Sequence, residues 1–143
     1  MRFMILVKAT ADSEAGKMPP EALLAEMGAY HEELAKAGVL LDGNGLRPSS
    51  AGFRVVYDGK QRSIVDGPFA ETKEIVAGYT MIQVRSREEA VEWARRFPNP
   101  SLDGGVAQIE VRQLFELEDF AAPGDSAAVD RMREMELGAA PKR

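Results

Sequence analysis

The chain has 143 residues, 45% of them hydrophobic, and a formal net charge of −5. That is the size of one domain, able to bury roughly two thirds of its unfolded surface without a staple. It has no cysteine, which excludes disulfides, thiol catalysis and cysteine-bound zinc.

The acidic balance argues against a nucleic-acid binder, which would present a basic face. No run approaches the ~20 apolar residues of a membrane span. The opening Met1-Arg2-Phe3-Met4-Ile5-Leu6-Val7-Lys8 is interrupted by Lys8 before a signal-peptide core is complete, and no small-residue cleavage site follows. A soluble, cytoplasmic protein is expected.

Arg2 to Ala9 reads as a strand with Phe3, Ile5 and Val7 on one face and Met4 and Leu6 on the other, so both faces need cover. Thr10 to Lys17 reads as a polar loop. Pro19-Pro20-Glu21 opens a helix, since proline suits a first turn and an acidic residue there complements the dipole. Leu23, Met27, Tyr30, Leu34 and Ala37 form its apolar stripe. Glu32 and Lys36 are spaced to pair, and Gly38 ends the helix. Val39-Leu40-Leu41 is a short apolar run, and Asp42-Gly43-Asn44-Gly45 reads as a flexible turn.

Phe53 to Tyr57 and Ser63 to Val65 read as two strands joined by a hairpin at Asp58-Gly59. Ile75 to Val84 is the longest strand-like run, with Gly78 marking a bulge or a close backbone approach. Ser86-Arg87-Glu88-Glu89 has the form of a capping box. It opens a helix with Ala90, Trp93, Ala94 and Phe97 inward, ended by Pro98. Val106 to Phe115 is the last strand. The order is strand, helix, hairpin, strand, helix, strand, which predicts an α+β fold: a ferredoxin-like two-layer sandwich, an antiparallel sheet with two helices on one face. Two helices leave the other sheet face open, and a symmetric partner is the commonest cover, so a homodimer is expected. Residues 121–143 read as an extension, broken at Pro123-Gly124, in which Ser126 is placed to cap a short helix carrying Ala128, Met132 and Met135.

Between the hairpin and the long strand lies Asp66-Gly67-Pro68-Phe69-Ala70-Glu71-Thr72-Lys73-Glu74, the densest cluster of polar and turn-forming residues between apolar runs. Asp-Gly-Pro-Phe followed by Ala-Glu-Thr-Lys-Glu resembles the signature of DGPF-domain proteins, a branch of the YCII-related family. The resemblance covers residues 1–120 and implies a dimeric α+β barrel. It supplies no reaction, because that family largely lacks an assigned one. Some of the proteins resembled are encoded beside, or fused to, alternative sigma factors, so the resemblance implies a possible regulatory link.

Asp66 is the first candidate site residue. A carboxylate at a strand end beside a turn can serve as a general base or hold a ligand; the plainer reading is a turn acceptor for the N–H groups of Phe69 to Glu71. Glu71 and Lys73 could coordinate a polar ligand, although such charge runs are commonly solvated surface. Arg54, beside the hairpin, and Tyr79, after Gly78, are further ligand candidates.

His31 is the lone histidine and a possible proton shuttle, though a packing role fits its place at the edge of the apolar stripe. One histidine and no cysteine leave no metal site to expect, and no cofactor is expected, because Gly43-Asn44-Gly45 does not lead into a phosphate-binding helix. Relatives in the wider family carry a helical histidine paired with an aspartate. The place of that histidine falls here nearer Met27, so the resemblance argues against a dyad of that type.

The expected function is a small homodimeric small-molecule-binding or accessory module. The alternative is an enzyme acting on a small polar or aromatic compound by proton abstraction or elimination, with Asp66 in the cleft.

Overall fold

The computed structural model describes residues 1–120 and 126–138. Four strands form the main sheet: β1 (Arg2–Lys8), β2 (Leu40–Gly45), β5 (Val76–Gln83) and β6 (Ile109–Gln113), in the order β2-β5-β1-β6, with every neighbouring pair antiparallel. Helix α2 (Glu21–Lys36) follows β1 and helix α3 (Arg87–Arg95) follows β5. This is the ferredoxin-like β-α-β-β-α-β arrangement. Strands β3 (Phe53–Asp58) and β4 (Gln61–Asp66) are set between β2 and β5 as a separate two-stranded sheet.

Alternation along the strands decides which face the helices cover. Phe3, Ile5 and Ile82 point to one face and join Tyr30 and Leu34 of α2 and Ala90 and Trp93 of α3 in the core. Ile5, Leu34 and Ile82 are fully buried. Both long helices therefore lie on one face. The Tyr30 hydroxyl donates to the Trp93 carbonyl at 2.7 Å, tying α2 to α3. Burial pushes the Tyr30 phenol up to about 12; nearby Arg96 opposes the rise and Glu33 adds to it. Met4, Leu6, Tyr79 and Met81 point to the opposite face and are only half-buried. At one end of that face Arg2, 5% exposed, is held by two hydrogen bonds to Glu116, at 2.9 and 3.0 Å.

Gly78 serves both purposes expected of it. The β1–β5 register slips beside it, between Val7 and Lys8, and a Cβ at Gly78 would lie 3.1 Å from the Asn44 carbonyl oxygen.

Several expectations are corrected, among them the last strand, which runs only over Ile109–Gln113. Thr10 to Lys17 is not all loop: Ala11–Glu14 forms a short helix, α1, with Thr10 and Ser13 capping each other's backbone N–H. Asp42 to Gly45 is no turn but most of edge strand β2, because its backbone pairs with Gly78 to Met81 of β5. In the hairpin, Asp58 is the last paired residue, opposite Gln61, so the two loop residues are Gly59, at φ +59°, and Lys60.

At α3, Ser86 accepts from the Glu89 N–H as expected, but the Glu89 carboxylate takes the Arg85 N–H. The Glu32–Lys36 pair forms at 3.2 Å. Beyond β6 come α4 (Leu117–Phe120) and α5 (Ala127–Glu134), the latter capped by Ser126; its buried residue is Val129, while Met132 and Met135 are exposed. Pro123-Gly124 lies outside the described residues.

Candidate functional site

The residues singled out in the sequence fall in three separate places. His31 lies on the helix-covered side. Its Nδ1 is 2.7 Å from the Met27 carbonyl oxygen, one turn back, and its Nε2 is 2.8 Å from the Thr80 hydroxyl. A histidine whose Nδ1–H donates to a carbonyl has its Nε2 free to accept from a hydroxyl, so both ring nitrogens are engaged, one within α2 and the other holding α2 to β5. The ring also stacks edgewise on Tyr30, with centroids 5.5 Å apart, and rests over Gly43, where a Cβ would lie 3.6 Å from the imidazole.

Tyr79 lies on the open sheet face. Its hydroxyl donates to Asp42 Oδ2 at 2.9 Å and accepts from the Asn44 amide at 3.0 Å. Asp42 Oδ1 accepts from the Gly43 N–H at 2.8 Å and the Asn44 amide at 3.3 Å. Asn44 pairs with Tyr79 and Asp42 with Met81 across the β2–β5 ladder, and residues that pair directly share a face. Three polar side chains are thus locked together by one another, beside Leu6 and Met81. Asp42 and Asn44 were missed in the sequence because the two glycines around Asn44 made the segment read as a turn. The signal that would have found them is period two: polar residues at 42 and 44, with glycine between.

The third place is the hairpin and the motif that follows it. Asp66, Arg54, Glu71 and Lys73 are all exposed. The Arg54 guanidinium sits 3.7 Å above the centre of the Phe69 ring. Asp66 is not the acceptor of the turn. The Phe69 N–H donates to the Ser49 hydroxyl at 3.1 Å, and the Glu14 carboxylate in turn accepts from both the N–H (2.9 Å) and the hydroxyl of Ser49. Ser49 lies in a short 3₁₀ turn, Ser49–Ala51, and is buried.

Gly67 has no alternative there, because a Cβ on it would lie 1.9 Å from the Ser49 carbonyl oxygen; its peptide to Pro68 is cis. Glu14 and Ser49, far apart in sequence from the motif, are what fix it. Ser49 stands in the loop Pro48-Ser49-Ser50, and nothing local marks it as the partner of Phe69.

The structure therefore brings Arg54 to the motif but joins neither Tyr79 nor His31 to Asp66 within one chain. Among the described residues, no cluster of three or more histidine, aspartate or glutamate side chains is arranged to hold a metal ion, and no helix is long and apolar enough to cross a membrane.

The YCII-related domain family matches residues 1–116, and the chain belongs to it. An uncharacterized protein of Rhizobium meliloti (strain 1021), R00369, is 28% identical over 99 residues, which cover 69% of this chain and 80% of that protein. Among solved structures, the chain is similar to 5-chloro-2-hydroxyhydroquinone dehydrochlorinase from Burkholderia phenoliruptrix AC1100, in complex with 2,5-dihydroxybenzoquinone. The identity is 15%, the coverage 81% of this chain and 95% of that one, and the TM-score 0.45. A likeness that loose carries no residue of that enzyme onto this chain.

Proposed function

We propose that this protein is a small homodimeric module that binds a small polar or aromatic molecule on the open face of its main sheet. One observation carries the reading: the Asp42–Asn44–Tyr79 cluster is held in place by its own hydrogen bonds beside the apolar side chains of Leu6 and Met81. A few preoriented polar groups against an apolar floor are what a small-molecule site needs. A symmetric partner supplies the cover for that face, and an accessory role, such as the link to an alternative sigma factor that the resemblance implies, is of this kind.

The enzyme reading keeps Asp66 as the base. Within one chain His31 gives it no support, since both ring nitrogens are engaged elsewhere. Binding is therefore preferred over proton abstraction.

A thermal-shift screen of small polar and aromatic metabolites tests the proposal. A ligand at a hundred times its Kd stabilises the folded state by about 2.7 kcal/mol, and the shift should disappear in Tyr79→Phe and Asp42→Asn. A ligand that shifts both variants as much as the wild type would place the site elsewhere.

A further inference from the structure

All residues of β3 and β4 are exposed. An isolated two-stranded hairpin is at best marginally stable in water and needs a cover for an apolar face. Register shows which face that is. Phe53 pairs with Asp66, Val55 with Ile64 and Tyr57 with Arg62, so Phe53, Val55, Tyr57 and Ile64 stand on one side, framed by Arg62 and Asp66. The Arg62 guanidinium, 4.9 Å from the centre of the Tyr57 ring, agrees with that assignment. Exposures of 63% for Phe53, 64% for Tyr57 and 70% for Ile64 leave this side bare. The other side mixes Arg54, Asp58, Gln61 and Ser63 with the smaller apolar side chains Val56 and Val65, and Arg54 is already seated on Phe69. Both aromatic rings stand on the first side, which is the more apolar of the two.

The chain has a second apolar surface without a helix over it, the open face of the main sheet with the half-buried Met4, Leu6 and Met81. We infer that the hairpin is an arm that docks its Phe53–Tyr57–Ile64 face on the open sheet face of a second copy of this chain, each copy reaching onto the other. Area argues for a second copy over an unrelated partner. Two aromatic rings and two aliphatic side chains, each exposed to this extent, offer on the order of 400 Å². One arm on one receiving surface would bury about 800 Å² in all, the scale of an incidental contact. A two-fold exchange makes the contact twice and reaches roughly 1,600 Å², the size of a stable, specific interface.

The exchange also completes the candidate site. Arg62 and Asp66 ride on the docking face and are carried with it onto the partner's sheet, where the Asp42–Asn44–Tyr79 cluster stands. Residues that one chain keeps apart would then be joined across the two-fold axis. This rests on the dimer reading above and adds to it the element that makes the contact.

The test is charge complementation, followed by analytical ultracentrifugation of the full chain. Ile64→Lys alters only the arm, and Met81→Glu only the receiving face; circular dichroism and melting curves confirm that each variant folds. The wild type is expected to be a dimer. Each variant alone is expected to dissociate at least tenfold more readily. An equimolar mixture is expected to form a one-to-one heterodimer, with one contact intact and the other carrying opposite charges. A wild-type monomer would overturn both the dimer and the arm. A wild-type dimer that Ile64→Lys leaves equally tight would overturn the arm and spare the dimer. Two monomeric variants that stay monomeric on mixing would also overturn the exchange.

Discussion

Ser49→Ala tests whether the motif is anchored as the structure indicates. The Ser49 hydroxyl accepts the Phe69 N–H at 3.1 Å and donates to the Glu14 carboxylate, and the residue is 8% exposed. Alanine leaves a part-buried N–H without an acceptor and removes one of two donors to a carboxylate. An unmatched donor costs about 1–3 kcal/mol, and bonds to charged groups lie at the upper end of what a hydrogen bond contributes. The expected loss is about 2 kcal/mol, a fall in melting temperature of roughly 6 °C for a domain of this size.

Urea unfolding followed by tryptophan fluorescence would measure it, Trp93 being the sole reporter. Glu14→Ala and the double variant close a thermodynamic cycle. If the two side chains act together, the double variant should lose clearly less than the sum of the singles. Asp66→Ala is the internal control: the residue is exposed, so the change should stay within about 0.5 kcal/mol. Should Asp66→Ala cost more than Ser49→Ala, the turn would be held by the aspartate after all, and the anchoring argument would be wrong.

Other outcomes follow from the same structure. Gly67→Ala should be more damaging than Ser49→Ala, because its Cβ would overlap a backbone oxygen 1.9 Å away that no side-chain rotation can move; loss of cooperative unfolding in urea is the readout. Tyr30 makes stability fall at high pH. Its folded-state phenol is raised to about 12 from 10.0, so its contribution is whole below pH 10 and is lost as pH climbs through 12, by about 2–3 kcal/mol. Tyr30→Phe should flatten that limb in melts taken from pH 8 to 12, although it also loses the bond to the Trp93 carbonyl. Glu116→Ala strands the buried Arg2 guanidinium and should cost about 3 kcal/mol by denaturant titration, whereas replacing both residues with apolar ones should recover much of it.

The fold was legible because its rules are local. Period two in β1 and the three-four stripe of α2 identify the core residues Phe3, Ile5, Tyr30 and Leu34 before any coordinate is known. What escaped was decided by tertiary partners. Asp42 to Gly45 has the composition of a turn and becomes a strand because β5 offers a ladder to pair with. Helix α1 is capped by a Thr10–Ser13 pair, not by the threonine-to-glutamate pattern that marks helix starts.

At the candidate site only Tyr79 was anticipated. Its partners, Asp42 and Asn44, come from a different strand, and spacing within a strand cannot announce a neighbour across the ladder. The same holds for Ser49 and Glu14, which meet the motif from remote segments. Asp66 was the nearest acceptor in sequence to the Phe69 N–H but not in space.

The pinch at the base of the hairpin bears on how the chain finds its fold. Strands β2 and β5 are hydrogen-bonded neighbours, yet the whole stretch from Leu46 to Ile75 separates them. Joining the ends of a long flexible segment costs entropy that grows with the logarithm of its length, about 0.6 kcal/mol per doubling. The hairpin closes from the tight turn at Gly59-Lys60, through contacts close in sequence, and can form in microseconds. Its closure brings Gly52 beside Gly67, where the Gly67 N–H donates to the Gly52 carbonyl at 3.0 Å. The span still to be searched between β2 and β5 is then much shorter than the chain suggests. A feature that looks like an insertion into the sheet thus acts as a zipper that shortens the effective loop to be closed between β2 and β5. Slackening the turn at Gly59 should slow refolding more than it speeds unfolding.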